Sequence, residues 1–128
     1  MGTLIKIFFL FTFILPNNYL LAEPIDGNLV NLQVLDKVTA RISNLEIKVG
    51  RKKTYGSLEI EIFNCKKRPP EEIPEDFVLL RILDKISNDN YSQVFQGWML
   101  SSSPAVAPFE HPTYDVWVKD CKIEIDSE

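Results

Sequence analysis

The chain has 128 residues, room for one domain, and a formal charge of −4 at pH 7. That acidic balance disfavours nonspecific binding to nucleic acid or to an anionic membrane surface. With one histidine and two cysteines there is little to build a zinc centre from, and no glycine-rich phosphate loop is present, so neither metal nor cofactor is expected.

Residues 1–22 read as a cleavable signal peptide. Lys6 is the only charge at the start, an unbroken apolar run extends from Ile7 to Leu15, and Leu20-Leu21-Ala22 precedes Glu23-Pro24. A basic start, an apolar core of about 7–15 residues and a small residue before the cut form the secretory pattern. The rival reading is a retained anchor, but a spanning helix needs about 20 apolar residues, and Pro16-Asn17-Asn18 breaks this run. Cleavage after Ala22 removes Lys6 and takes the formal charge to −5. No integral membrane anchor would then remain, and the product would be periplasmic or secreted.

Residues 23–31 read as a flexible lead-in, and 32–126 as a single β-rich domain. Val34, Asp36, Val38, Ala40 and Ile42 fall on one face, with Lys37, Thr39 and Arg41 opposite. Leu45, Ile47 and Val49 alternate with Glu46 and Lys48, and Leu58, Ile60 and Ile62 with Glu59 and Glu61. Alternation with period two marks half-buried antiparallel strands. The stretch from Gly50 to Gly56 reads as a turn joining two of them in a hairpin. After Cys65 the run Lys66-Lys67-Arg68-Pro69-Pro70-Glu71-Glu72 forbids helix and central strand. Phe77 to Ile86, apolar on both faces except Arg81, Asp84 and Lys85, reads as a central strand. Ser87 to Asn90 is a turn and Tyr91 to Leu100 a returning strand. Ser101 to Pro112 is a long loop, and Tyr114 to Lys119 is the last clear strand, with Cys121 to Ile125 able to extend it. Six or seven short strands without a helical period predict an all-β fold, a small antiparallel sandwich or partly open barrel.

Both cysteines, Cys65 and Cys121, follow the apolar leader. An even count in an exported chain reads as a disulfide, with buried free thiols as the alternative. Their spacing is not the C-x-x-C of thiol oxidoreductases, which favours a structural bridge over a redox pair.

Taken together, Leu35-Asp36-Lys37-Val38-Thr39-Ala40-Arg41, Gly56-Ser57-Leu58-Glu59-Ile60, Cys65 to Glu72, Gly97-Trp98-Met99 with Ser102-Ser103-Pro104-Ala105, Glu110-His111-Pro112, Tyr114 to Val118 and Cys121 resemble a family of exported alphaproteobacterial proteins, domain of unknown function 2155. The resemblance implies export and a two-cysteine domain. It implies no reaction, substrate or catalytic residue.

Four constellations offer a site. Ser101-Ser102-Ser103, His111 and Asp115 supply the residue types of a hydrolytic triad, but no nucleophile elbow accompanies them, and serines before Pro104 equally satisfy a turn. Asp84 to Tyr91 holds several oxygen side chains but lacks the spacing of a calcium loop. Lys66, Lys67 and Arg68, followed by Glu71, Glu72, Glu75 and Asp76, read either as a charged docking loop stiffened by Pro69-Pro70 or as a solvated one. Trp98 to Pro112, with Phe109, reads as an apolar contact loop or as a cover over the core, and Trp98 and Trp117 are expected inside. The leading expectation is an exported, non-catalytic domain acting through contacts with another envelope protein. An envelope-polymer hydrolase or carbohydrate-binding module using Trp98, His111 and Asp115 is the alternative.

Overall fold

The computed structural model describes residue 16 and residues 22–103 and 109–126. Apart from Pro16 and Ala22, the stretch read as a signal peptide lies outside them, as do residues 104–108 of the proline-rich loop. The described residues form eight strands: β1 (Ile25–Asp26), β2 (Leu29–Asp36), β3 (Arg41–Lys48), β4 (Lys52–Tyr55), β5 (Leu58–Lys67), β6 (Asp76–Ser87), β7 (Asn90–Leu100) and β8 (Tyr114–Lys122).

Two antiparallel sheets stack into an open sandwich. One has the order β3-β2-β8; the other runs β1-β5-β6-β7, with β4 also paired to β5. Alternation in each strand supplies the layer between them. Val30, Leu32 and Val34 of β2, with Leu45 and Ile47 of β3, face Leu58, Ile60 and Ile62 of β5 and Val78, Leu80 and Ile82 of β6. Each large aliphatic side chain removed from water contributes about 1.5–3 kcal/mol. The all-β sandwich expected from the alternation is the observed fold.

Several local expectations are corrected. Val34 to Ile42 is not one strand: Lys37–Ala40 is a turn between β2 and β3, and Ile42 is exposed. Asp36 makes the turn, its Oδ1 accepting the amides of Val38 (2.9 Å) and Thr39 (3.2 Å), and Ala40 adopts a φ of 55°. The Thr39 amide foremost holds the Asp36 carboxyl below its usual range. Gly50 to Gly56 is not a plain hairpin turn either. It contains β4, and the strands on its two sides enter different sheets, β3 pairing with β2 and β5 with β6. Regular structure also begins inside the stretch read as a lead-in, since β1 pairs Ile25 with Lys67 and β2 starts at Leu29.

The sheets are stitched at one end. Cys65 on β5 and Cys121 on β8 form a disulfide across the sandwich, Cα atoms 5.9 Å apart, both fully buried. In the chain-entropy account a loop of this length stabilises by roughly 4 kcal/mol. Gly27 lies against the bridge and donates its amide to the Cys65 carbonyl at 2.9 Å. A Cβ there would strike Cys121 Sγ and stand 2.9 Å from both Cys65 Sγ and the Lys122 carbonyl, so the position admits only glycine without a shift of backbone or bridge. Beside the bridge, Asp76 Oδ2 accepts the Cys121 amide at 2.9 Å, and Lys67 Nζ donates to Asp76 at 3.3 Å and to the Cys121 carbonyl at 2.6 Å.

Candidate functional site

Ser101-Ser102-Ser103, His111 and Asp115, the residue types of a hydrolytic triad, do not assemble into one. Ser101 and Ser102 are committed to Glu75: Ser101 Oγ donates to Oε1 at 3.0 Å, the Ser102 amide to Oε1 at 3.0 Å, and Ser102 Oγ to Oε2. Burial raises the Glu75 carboxyl, and the hydrogen bonds from Ser102 and Ser101 more than offset this, leaving it below its usual range. Asp115 pairs instead with Lys37 at 2.9 Å. His111 is 8% exposed, and both ring nitrogens are occupied. Nδ1 accepts the amides of Thr113 (3.1 Å) and Tyr114 (3.2 Å), which leaves the proton on Nε2 for Asp84 Oδ2 at 2.8 Å. The other oxygen of Asp84 takes the Ser57 hydroxyl at 2.6 Å. Serine and histidine thus meet one carboxylate from opposite sides and never each other. A nucleophile needs its base within hydrogen-bond reach, so this group holds structure together. Phe109 (ring centroid 5.9 Å away) and Tyr114 (5.4 Å) stack on the imidazole.

The charged loop divides by side-chain direction. Lys67 points into the inter-sheet lock, Lys66 pairs with Asp26 at 2.8 Å, and the Arg68 guanidinium lies 5.7 Å over the ring of Phe77. Phe109 is 8% exposed and packs with the core cluster.

The outer face of the five-stranded sheet carries exposed aromatic side chains. Strand register builds it in rows. Phe77 pairs with Lys66 and Leu100, Leu79 pairs with Trp98, and Arg81 pairs with Glu61 and Gln96. Interior residues Val78, Leu80 and Ile82 alternate with these, which forces Phe77, Leu79 and Arg81 outward. Trp98 is 40% exposed, contrary to its expected place in the core, while Trp117 is half-buried. Phe63 continues the outward beat of Glu59 and Glu61 and is 41% exposed; the register shift between Ile62 and Asn64 then returns Cys65 to the interior. The Arg81 guanidinium covers it at 5.6 Å while bonding Glu61 at 2.5 Å. An apolar hollow of about 230 Å³ opens among Pro24, Lys66, Phe77 and Trp98. Aromatic rings flanked by arginine match the composition enriched in protein interfaces.

A family described as uncharacterized protein conserved in bacteria (DUF2155) matches residues 30–121. The chain belongs to this family. Both cysteines, the Asp84–His111 pair and the aromatic face fall within the matched span. A Rickettsia prowazekii (strain Madrid E) protein, described as uncharacterized protein RP359, is 33% identical over 87 residues, which make up 68% of this chain and 56% of that protein. The match thus spans little more than half the length of this relative. No solved structure matches.

Sequence reasoning missed Asp84, Ser57, Glu75 and Phe63 as members of these clusters. Asp84 had a signal: an acid inside an apolar strand demands a partner. Phe63 had one too: it continues the outward beat of Glu59 and Glu61 on β5.

Proposed function

We propose that this chain is an exported, non-catalytic β-domain that docks another protein of the cell envelope on the outer face of its five-stranded sheet. The observation that carries the reading is the half-exposed pair Trp98 and Phe63 beside the apolar hollow, with Arg68 and Arg81 laid over neighbouring rings. Large aromatic and arginine side chains dominate interface hot spots, and an aromatic ring already held by packing loses little freedom on binding. The apolar leader of residues 7–15 and the Cys65–Cys121 bridge support an oxidising compartment outside the cytoplasm.

The test is photo-crosslinking in the cell. A photoreactive residue is placed at Trp98, at Phe63 and, as a control, at exposed Thr39 on the β2–β3 turn. The expected result is one defined envelope protein captured from positions 98 and 63 and not from 39. Capture no stronger than at Thr39 would overturn the reading.

A further inference from the structure

A strand at a sheet edge presents unpaired N–H and C=O groups, and proteins blunt such edges with charge, proline or cover. Most edges of this sandwich are managed. β3 carries Arg41, Glu46 and Lys48, and β8 carries Lys119, Asp120 and Lys122. The open side of β5 is covered by β4 and β1. β7 is different. It closes the five-stranded sheet with eleven residues, Asn90–Leu100, among which there is no Lys, Arg, Asp, Glu or Pro. Among the described residues its main chain pairs with β6, and no turn or loop backbone bonds its outer edge. One register shift opposite Ile82 and Leu83 bends it midway, and Phe95–Leu100 then runs in continuous register.

We infer that β7 pairs antiparallel with β7 of a second copy of this chain, about a two-fold axis perpendicular to the sheet, joining two five-stranded sheets into one. A two-fold contact sets each residue of the strand against another residue of the same strand. On β7 every such pair is uncharged, so a chain of net charge −4 meets its copy along this edge without a like-charge pair. A partner selected by charge would find nothing on this strand to read, whereas main-chain pairing needs only an extended, uncharged mate. The two outer faces then lie on the same side of the joined sheet, and their Trp98 rings extend one apolar band across the axis. This inference does not depend on the docking of an envelope protein: loss of those crosslinks with the dimer intact would overturn the docking alone.

The experiment takes the full gene product, purified in the form the cell leaves it. Sedimentation should show a dimer at micromolar concentration. Gln93 and Gln96 are exposed, and changing both to Lys sets like charges across the axis. Gln93→Lys/Gln96→Lys should sediment as a monomer with an unchanged melting temperature, and so should Gln93→Glu/Gln96→Glu. An equimolar mixture of the two should restore the dimer. Hydrogen exchange on the unaltered protein gives a second reading that no variant can confound: amides within 95–100 should slow as concentration rises. A wild type that stays monomeric at high micromolar concentration, a dimer that survives the Lys substitutions, or exchange independent of concentration would each overturn the inference.

Discussion

His111 shows how one residue can carry the outline of catalysis and the substance of architecture. Its Nδ1 gathers two successive amides at the start of β8, and its Nε2 proton reaches Asp84 on β6. Removing the imidazole orphans two amides and leaves a partly buried carboxylate with Ser57 alone. His111→Ala should therefore lower stability by about 2–4 kcal/mol, and Asp84→Ala by a similar amount. The double variant should lose less than the sum, because both changes break one network. Urea unfolding of the four proteins measures this, and crosslinking from Trp98 should survive in the folded fraction of each. The sequence makes part of this legible. An acid inside the apolar run from Phe77 to Ile86 asks for a partner, but the partner lies 27 residues away, just before β8, and only the stacking of the two sheets brings it close.

At the scale of the element, strand register sorts neighbours that composition treats alike. Lys67 and Arg68 are adjacent cations before two prolines, yet Lys67 locks the sheets while Arg68 lies over Phe77. Lys67→Glu should cost about 2–4 kcal/mol, since it removes the donor to Asp76 and the Cys121 carbonyl and sets a second carboxylate beside Asp76. Arg68→Glu should leave stability within about 0.5 kcal/mol and slow association with the proposed partner, an effect that shrinks as salt rises. Melting and association rate, measured for both variants, separate the two roles. The strands with one buried face, β3 and β5, are readable from alternation. β4 is not, because Lys52, Lys53 and Thr54 all face water and offer no apolar member to alternate. The β2–β3 turn is hidden for the opposite reason: Val38 and Ile42 continue an apolar beat through exposed positions.

Across the whole molecule, three carboxylates tie stability to neutral pH: Asp36 on its exposed turn, and the partly buried Glu75 and Asp84. Glu75 and Asp84 are both held below the ordinary carboxylate range: burial raises each, and hydrogen bonds from Ser102 and Ser101, or from Ser57 and His111, outweigh it. A carboxyl depressed in the folded state adds stability above the value it has in the unfolded chain and loses it as pH falls through the folded value. Urea midpoints should therefore fall steeply on acidification below the ordinary carboxylate range. Glu75→Gln and Asp84→Asn should each flatten that acid limb while lowering stability at neutral pH. An acid limb of equal slope in wild type and both variants would show that other groups set it.

The disulfide also closes a covalent ring through the backbone. β6, β7 and the segment bearing His111 all lie between Cys65 and Cys121, while β1 to β4 lie before it. A single peptide cut anywhere in that span opens the ring and releases nothing. Limited proteolysis between β7 and β8 should yield a product that migrates as one band without reductant and as two with it. Because the edge pairs of β6 with β5 and β7 survive the cut, the nicked protein should keep a cooperative melt until the sulfurs are reduced. This molecule can thus lose the continuity of its chain and remain a single body.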